Sequence, residues 1–356
     1  MMKAMIAMSG GVDSSVAAYL MQKRGFDCTG ITLKLFDGDI PEDASQKTCC
    51  SADDTEDAKS VCRVLGIPHY VYNFKDSFRE KVIDRFVKAY ETGGTPNPCI
   101  DCNRYIKFEG LVRRSHELGF DRVVTGHYAT VEYSAERGRY LLKKSADKSK
   151  DQSYVLYPLT QEQLAVTVFP LGEMTKEQTR EIALEMGMIN AKKRDSQDIC
   201  FVPDGDYAAF IERYTGKTYP CGDFTDESGK VLGTHKGIIR YTIGQRKGLG
   251  LALPAPMYVK EKNLSENRVV LCDNESLFSR ELLANDLNLI SVDRIDAPMR
   301  VRARVRYNQP EQPATVVQLA DDLIKVTFDE PQRAVCTGQA VVLYDGDYVV
   351  GGGTII

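Results

Sequence analysis

The segment that is best suited to hold an anion is Ser9-Gly10-Gly11-Val12-Asp13-Ser14-Ser15. Adjacent glycines let the backbone turn tightly and approach a ligand closely, and free N–H groups at the start of a following helix attract negative charge. The pattern differs from the phosphate fingerprints G-x-x-x-x-G-K-[ST] and G-x-G-x-x-G. It predicts a site for nucleotide phosphates, in which the serine hydroxyls donate and Asp13 faces a magnesium ion on the phosphates. The alternative is a glycine-rich turn with a serine cap.

Two further segments present thiols. Thr95-Pro96-Asn97-Pro98-Cys99-Ile100-Asp101-Cys102-Asn103 is a loop stiffened by two prolines, and a rigid loop that holds a thiol suits chemistry. Its C-x-x-C could be half of a zinc site, but zinc needs four ligands, and the sequence has no second C-x-x-C and no H-x-x-x-H. Cys200 follows Lys192-Lys193-Arg194, and neighbouring cations lower the pKa of a thiol and favour its thiolate. The alternative for Cys200 is a buried structural cysteine.

The composition limits the class of protein. The chain has 356 residues, of which 43% are hydrophobic and 27% charged, which is typical of an ordinary globular protein with two or three domains. No apolar run approaches the roughly 20 residues of a membrane helix, and the first residues lack a signal-peptide pattern, so we expect a cytoplasmic protein. In that compartment the 10 cysteines favour catalysis or metal binding over a disulfide framework. The net charge of −4 does not indicate a nucleic-acid binder, but local basic patches matter more.

The elements that position these segments alternate between strand and helix in the first part of the chain. This rhythm predicts an α/β fold with a doubly wound parallel sheet, and it places the glycine loop at the first strand-to-helix turn, where nucleotides bind. Thr55 is expected to cap a helix, and Thr175 with Gln178 forms the T-x-x-Q pattern that starts another. The predicted strands are Ala4–Met8, Cys28–Phe36, His69–Phe74 and Arg122–Thr125, and further helices are Ser14–Arg24, Phe78–Tyr90 and Phe108–Leu118.

The character of the sequence changes after about Asp204, where segments shorten and alternate between apolar and polar residues. We therefore predict a catalytic domain at 1–205, a small central domain that contacts tRNA at 206–280 and a C-terminal β-barrel at 281–356. Two basic clusters favour an RNA-binding face, although solvated surfaces of no special function are the alternative. They are an arginine-bearing strand face (Arg300, Arg302, Arg304 and Arg306) and a lysine cluster (Lys143, Lys144, Lys148 and Lys150).

SGGVDSS resembles the pyrophosphate-binding loop of the PP-loop ATPases, which cleave ATP to AMP and pyrophosphate. The remaining motifs are similar, in the same order and over almost the whole chain, to those of the bacterial tRNA-uridine 2-sulfurtransferases, also called tRNA 2-thiouridylases. These motifs are Thr95–Phe108, Thr125-Gly126-His127-Tyr128, Lys150-Asp151-Gln152-Ser153-Tyr154, Asp195–Phe201, Gly244–Gly250 and Gly351-Gly352-Gly353.

The resemblance implies an ATP-dependent enzyme that thiolates the wobble uridine of the tRNAs for Lys, Glu and Gln. ATP, with Mg²⁺, adenylates the 2-oxygen of the base, and a persulfide on Cys200 supplies the sulfur. Cys102 assists, either in sulfur release or by forming a disulfide with Cys200. The sulfur comes from a donor protein, a cysteine desulfurase or a relay protein. The ATP-binding residues implied are Ala7, Met8, Ser9, Gly10, Gly11, Val12, Asp13, Ser14, Leu33 and Gly126.

The resemblance also implies a set of tRNA-facing residues and contains one departure. Many members of the family carry an aspartate, assigned an acid/base role, where this chain has Cys99. A minority hypothesis is therefore that Cys99, Cys102 and Cys200 hold a [4Fe–4S] cluster with one iron open for sulfide. His127 could equally be a structural histidine. The implied tRNA-binding residues are Asn97, Pro98, Cys99, His127, Lys150, Asp151, Gln152, Arg306, Tyr307 and Gln339.

Three other functions remain open from the sequence. A different PP-loop ligase, such as tRNA lysidine synthetase, would need no cysteine pair. An RNA-binding protein could keep ATP as a structural ligand only. An iron–sulfur redox protein would use the cysteines without ATP chemistry.

Overall fold

The computed structural model describes residues 1–36, 52–191, 193 and 199–356. Within these ranges the chain forms one parallel sheet with helices, followed by two antiparallel or mixed sheets, and this confirms the predicted α/β fold with a C-terminal barrel. The α-helices are α1 (Val12–Lys23), α2 (Ala52–Leu65), α3 (Lys75–Phe78), α4 (Asp84–Glu91), α5 (Pro98–Asp101), α6 (Leu111–Glu117), α7 (Ser153–Leu156), α8 (Gln161–Val166), α9 (Lys176–Glu185) and α10 (Tyr207–Thr215).

The first sheet has the order β3-β2-β1-β4-β7, with every neighbouring pair parallel. Successive residues of β1 point to opposite faces: Met5 joins the apolar cluster under α4, while Ala4 and Ile6 join the cluster under α1 and α2. Helices therefore cover both faces, as predicted for a doubly wound sheet. Its strands are β1 (Lys3–Ala7), β2 (Asp27–Lys34), β3 (His69–Asn73), β4 (Arg122–Val124) and β7 (Thr167–Val168).

The central sheet has the order β10-β11-β8-β9. The third sheet runs β12-β15-β14-β13-β16-β17-β6-β5, and pairing of β12 with β17 closes its first six strands into a barrel. The remaining strands are β5 (Ala129–Ser134), β6 (Arg139–Lys144), β8 (Gly222–Asp226), β9 (Val231–His235), β10 (Tyr258–Asn263), β11 (Arg268–Cys272), β12 (Phe278–Leu289), β13 (Met299–Arg304), β14 (Gln312–Ala320), β15 (Leu323–Arg333), β16 (Ala340–Asp345) and β17 (Tyr348–Ile355).

The hairpin β5–β6 was not predicted from the sequence and joins a different sheet from the strands before it. It lies within the predicted first domain, yet it extends the barrel sheet, with Tyr348 of β17 opposite Lys143 of β6. A pairing between strands some 200 residues apart leaves no local signal in the sequence, because register is set by tertiary packing. The hairpin brings the residues that follow β4 against the C-terminal barrel.

Helix starts were predicted well where a cap forms and poorly elsewhere. Thr175 and Gln178 make both hydrogen bonds of a capping box, which confirms the T-x-x-Q prediction. Thr55 lies inside α2 and does not begin it, so that capping prediction was wrong. The helices predicted to begin at Phe78 and Phe108 start earlier, at Lys75 and Pro98, and each continues through a π-helical segment (Arg79–Ile83 and Cys102–Gly110).

Lys262 of β10 gives a test of the packing between the central sheet and the first domain. Its Nζ donates to the carbonyl oxygen of Gly94 at 3.3 Å and lies over the ring of Tyr90. Burial lowers the pKa of Lys262 from 10.5 to about 8, with Cys336 acting weakly in the opposite direction. Between these two pH values the unfolded chain binds the extra proton more readily, so the native state gains stability as the pH rises through that window.

We expect Lys262→Met to raise the free energy of unfolding at pH 7 by about 1–2 kcal/mol, because the loss of the Gly94 hydrogen bond offsets part of the relieved charge burial. The advantage over the wild type should shrink from pH 8 to pH 10.5. Urea denaturation across this range measures both effects. Lys260→Met is the matched control, since Lys260 lies on the same strand as Lys262 but pairs with Glu227 at the surface. If the difference in free energy of unfolding between Lys262→Met and the wild type did not change with pH, Lys262 would not be a buried cation with a lowered pKa.

Candidate active site

The glycine loop leaves β1 at the carboxyl edge of the parallel sheet, where the strand order reverses between β1 and β4. Gly11 precedes α1, and among the residues that the structure describes no side chain caps the first N–H groups of this 12-residue helix. Such a helix start at a topological switch point is a favourable anion site. Ser14 and Ser15 both donate to the carbonyl oxygen of Gly11, at 2.9 and 3.0 Å, and their donation to phosphate stays a prediction. The two hydrogen bonds to Gly11 hold the loop in shape.

Gly10 is the position in this loop that requires glycine. Its φ is +72°, and a Cβ there would lie 2.2 Å from the carbonyl oxygen of Asp54. Gly11 has a φ of −85°, and a Cβ there would meet nothing nearer than 3.5 Å. Gly10 and Gly11 are therefore a matched pair of positions at which to test the loop conformation by substitution.

We expect Gly10→Ala to weaken ATP binding by at least about tenfold, because the loop must shift to relieve backbone strain and the clash with α2. Gly11→Ala should change the affinity less than Gly10→Ala does. Isothermal titration with ATP measures both, with the melting temperature as a check on folding. Equal affinities for the two variants would show that the loop conformation seen here is not the one that binds the nucleotide.

Asp13 has a partner other than the predicted magnesium ion. Lys176, at the start of α9, donates to its two carboxylate oxygens at 2.8 and 2.9 Å, and the hydroxyl of Tyr128 donates to one of them at 2.9 Å. The Lys176 side chain is only 6% exposed, so the pair is held largely out of water. Asp13 thus positions a buried cation beside the glycine loop, and sequence analysis missed Lys176 because it lies 163 residues away.

A second cation supports the loop from the other side. Lys193 donates to Asp54 and Asp57 at 2.5 and 2.7 Å, and to the carbonyl oxygen of Gly10 at 3.3 Å. Burial opposes its charge, but the two hydrogen bonds raise the pKa of Lys193 above its ordinary value. Lys193 was predicted to activate Cys200; it instead fixes α2 and the glycine loop. Its predicted companions Lys192 and Arg194 lie outside the described residues.

The other predicted nucleotide residues surround the loop. Ala7 and Met8 end β1, and Leu33 is buried near the end of the adjacent β2. Gly126 follows β4, and a Cβ there would lie 2.6 Å from the backbone of Asp13, so only glycine allows this approach to α1. These positions converge on one edge of the sheet.

His127 adopts the geometry of a structural histidine. It is buried, its Nδ1 lies 2.6 Å from the hydroxyl of Thr125, and its ring packs between Phe108 and Phe169. Burial, with the charge of Lys107, lowers the pKa of His127 well below its ordinary value. The ring is therefore neutral near pH 7, and a direct contact with RNA would require the surrounding residues to move.

The proline loop is held by the C-terminal barrel. The amide of Thr95 donates to the carbonyl of Thr337 at 2.9 Å, and the side chain of Gln339 donates to the carbonyl of Thr95 at 2.6 Å. Asn97 caps α5 by accepting from the amide of Cys99 at 3.1 Å, with Pro98 at the first helical position. This packing fixes the start of the helix that carries the thiols.

Cys99 and Cys102 lie three residues apart on this helical segment, which places them on neighbouring positions of one side. Cys99 is exposed and Cys102 half-buried. Cys200 is also half-buried, and both Cys102 and Cys200 pack against the apolar cluster that contains Phe86 and Phe201. The fold thus puts the two predicted catalytic thiols on the same cluster, although 98 residues separate them in the sequence.

The residues predicted to face tRNA divide into two groups. Tyr307 is exposed, and its hydroxyl donates to the carbonyl of Asp151 at 3.4 Å. Partial burial raises the pKa of Tyr307, and the nearby Asp151 and Cys99 add to this effect. By contrast, the side chains of Asp151 and Gln152 have structural partners: Asp151 accepts from Ser145 and Ser153, and Gln152 from the amide of Tyr128. Lys150 is half-buried next to them.

The arginine strand face is neutralised by acidic neighbours. Arg300 forms a bidentate pair with Asp329, at 2.8 and 2.7 Å, and Arg302 lies 3.7 Å from Glu311. Arg304 donates to the carbonyl of Gln309 and lies 3.8 Å from Asp151. The alternation was predicted correctly, but the face does not carry the free positive charge expected of it. Within the lysine cluster, Lys144 pairs with Glu311 and Lys148 with Asp347.

Arg306 lies beyond the end of β13 and turns inward. It donates to the carbonyl oxygen of Ala334 at 2.9 Å, to that of Ile243 at 3.3 Å and to the sulfur of the buried Cys336 at 2.7 Å. It therefore ties the barrel to the central domain directly behind Tyr307. Arg306, Tyr307 and Gln339 thus lie where the barrel meets the central domain and the proline loop, and this boundary is called the seam below.

No group of three or more His, Cys, Asp or Glu side chains within residues 1–36, 52–191, 193 and 199–356 is placed to hold a metal ion. Cys99, Cys102 and Cys200 all belong to that described part, and as placed they do not form the cradle that a cluster would need. Within the same ranges, no helix combines the length and apolar character that crossing a bilayer requires.

A glycine loop at the switch point of a parallel sheet, followed by a small mixed sheet and a β-barrel, defines a three-domain nucleotide-binding architecture. Three family models match in this order: the tRNA methyl transferase HUP domain at residues 2–204, the tRNA methyl transferase PRC-barrel domain at 208–273 and the Aminomethyltransferase beta-barrel domain at 279–355. The structural similarity to a solved 4-thiouridine synthetase–RNA complex with bound ATP spans 60% of this chain and 50% of the synthetase chain, at 17% identity and a TM-score of 0.37.

Relatives of known name cover the whole chain. The tRNA-specific 2-thiouridylase MnmA of Clostridioides difficile (strain 630) is 52% identical over 354 residues, which are 99% of this chain and 98% of the relative. The protein of the same name from Acetivibrio thermocellus is 51% identical over 354 residues, 99% of each chain. The chain belongs to the tRNA-specific 2-thiouridylase family.

Proposed function

We propose that the protein is an ATP-dependent tRNA-uridine 2-sulfurtransferase that replaces the 2-oxygen of the wobble uridine with sulfur in the tRNAs for Lys, Glu and Gln. Full-length similarity to 2-thiouridylases carries this proposal. The geometry supports it, since the glycine loop of the first sheet and the thiol-bearing proline loop both belong to the domain that packs on the barrel.

In the first step, the 2-oxygen of uridine attacks the α-phosphorus of ATP, and pyrophosphate leaves. The open start of α1 binds phosphate oxygens, and Lys176, held by Asp13, contributes positive charge next to them. Magnesium enters with ATP as its counter-ion, and the Asp13 carboxylate, which accepts from Lys176, lies in the loop that binds the phosphates. Adenylation turns the 2-oxygen, which is a poor leaving group, into part of AMP, which leaves readily.

In the second step, the outer sulfur of a Cys200 persulfide attacks C2 of the uridine, and AMP leaves with the original oxygen. The Cys102 thiolate then attacks the inner sulfur of Cys200, which forms a Cys102–Cys200 disulfide and releases the 2-thiouridine. A two-electron thiol reductant restores both thiols. Contact of both cysteines with one apolar cluster supports this pairing, and the sulfur is delivered by a cysteine desulfurase or relay protein in the cytoplasm.

The test of the proposed reaction is tRNA-dependent release of pyrophosphate. We expect release only when ATP, Mg²⁺ and unmodified tRNA are all present. A protein that keeps ATP as a structural ligand would release none. A lysidine-type ligase would keep its activity after loss of both Cys102 and Cys200, and a redox protein of the iron–sulfur type would show visible absorbance after anaerobic purification without needing ATP.

A further inference from the structure

The central domain presents a rigid basic turn, residues 243–250, for which the mechanism has no use. Gln245 fixes its shape: the side chain accepts from the amide of Thr242 at 2.9 Å and donates to the carbonyl of Lys247 at 3.0 Å. The backbone of Gly244 donates to the carbonyl of Val259 at 2.7 Å, and Leu249 is buried beneath the turn. A turn held at four points presents its outward side chains in a fixed direction.

Those outward side chains are Arg246 and Lys247, which are both exposed. Among residues 1–36, 52–191, 193 and 199–356, neither forms an ion pair or a side-chain hydrogen bond. They differ in this from Arg300 and Arg302, whose charges face Asp329 and Glu311. Unpaired, exposed cations on a rigid turn suit a phosphate backbone, since no internal partner must first be released.

A cleft of about 580 Å³ adjoins this turn. Arg246 stands in its wall, and the other side chains there are apolar, including Leu249, Leu251 and Met257, although polar atoms of Arg246 and of the backbone form the larger share of the exposed surface. An unstacked base has apolar faces and polar edges, so a cleft that combines apolar side chains, backbone polar groups and a cation matches a nucleotide of single-stranded RNA.

The turn is also connected to the seam around Tyr307. Arg306 donates to the carbonyl of Ile243, the first residue of the turn, and to the carbonyl of Ala334. Gly244 packs closely against Ala334, since a Cβ on this glycine would lie 2.6 Å from the Ala334 side chain. A tRNA whose target uridine reaches Cys99 and Tyr307 therefore passes within reach of the turn.

We propose that the turn 243–250 and its cleft bind one nucleotide of the tRNA next to the target uridine, with the phosphate on Arg246 and Lys247 and the base in the cleft. This rests on the proposed function. It narrows the predicted tRNA contact of the central domain to this turn and its cleft, and it assigns the phosphate contacts to the turn in place of the arginine strand.

The test measures the affinity of the full-length protein for unmodified lysine tRNA between about 50 and 200 mM salt. For Arg246→Gln/Lys247→Gln, the negative slope of log K against log[salt] should become shallower by about two, because two phosphate contacts are lost. Arg300→Gln/Arg302→Gln is the matched control and should keep the wild-type slope. Ala252→Trp, which fills the cleft at an exposed position, should weaken binding about tenfold with an unchanged slope.

An unchanged slope for Arg246→Gln/Lys247→Gln, or a reduced slope in the control pair instead, would overturn the proposal. An unchanged affinity for Ala252→Trp would also overturn it, since the cleft would then be empty in the complex or would hold something other than RNA. If the wild type neither binds nor thiolates tRNA, the proposed function itself fails, which is a separate outcome. Melting temperatures within error of the wild type verify that each variant is folded.

Discussion

Cys200→Ser and Cys102→Ser should each lower tRNA thiolation by about 10³-fold or more, whereas Cys99→Ser should lower it by less than about tenfold. The first two remove the sulfur carrier and the thiol that releases it, and loss of a nucleophile typically costs this much. Cys99 lies on the same helical turn but is exposed, and it is near enough to Tyr307 to help raise the pKa of that tyrosine. Incorporation of sulfur into tRNA, with apo protein and a persulfide donor, measures all three.

The same series separates persulfide chemistry from the cluster hypothesis. In the two-cysteine scheme, Cys99→Ser retains most of the activity and iron has no effect. Equal loss in all three variants, with activity that depends on reconstituted iron, would contradict the scheme. It would also mean that the three thiols come together in a state different from the arrangement described here, in which they form no metal-binding group.

Asp13→Asn and Lys176→Met should each reduce tRNA-dependent pyrophosphate release by about 10²-fold or more. Lys176 supplies charge beside the phosphates, and Asp13 holds it there at 2.8–2.9 Å. Each single change also leaves a partly buried charge without its partner, which destabilises the fold by up to about 3–5 kcal/mol. Pyrophosphate release and the melting temperature must therefore be measured together.

The double variant Asp13→Asn/Lys176→Met separates the two effects. Removing both charges should recover much of the lost stability, because neither charge is left buried alone. Pyrophosphate release should stay low, because the cation is still missing. Recovery of activity together with stability would show that the pair is merely structural. Lys148→Met is a control for the loss of a lysine, since Lys148 pairs with Asp347 on the surface.

Features set by neighbouring residues were predictable from the sequence. Two glycines between an apolar strand and a helix identify a phosphate loop because the backbone geometry is local, and the Thr175 capping box lies within one turn of helix. The alternation of β13 likewise gave the correct inward and outward faces, with Val301 and Ala303 in the barrel core. Sequence reasoning works where the physical cause and its effect lie a few residues apart.

Features set by distant partners were not predictable. Lys193 was assigned to the nearby Cys200, but it reaches Asp54 and Asp57, about 140 residues away. The pairing of Asp13 with Lys176 was missed because the lysine lies in another helix; the magnesium role of Asp13 stays a prediction. The exposed charge of the arginine strand was overestimated, because its acidic partners come from other strands and loops. A charge motif states which residue is present, and only the fold decides which residue neutralises it.

The most direct test of the proposed thiolation is mass spectrometry of nucleosides from unmodified lysine tRNA after incubation with the protein, ATP, Mg²⁺, a persulfide donor and a thiol reductant. The account predicts a nucleoside about 16 Da heavier than the uridine it replaces, from the exchange of oxygen for sulfur at C2. It should form only with ATP present, with one AMP and one pyrophosphate per modified base. Consumption of ATP with an unchanged nucleoside mass, or addition of any other group, would contradict it.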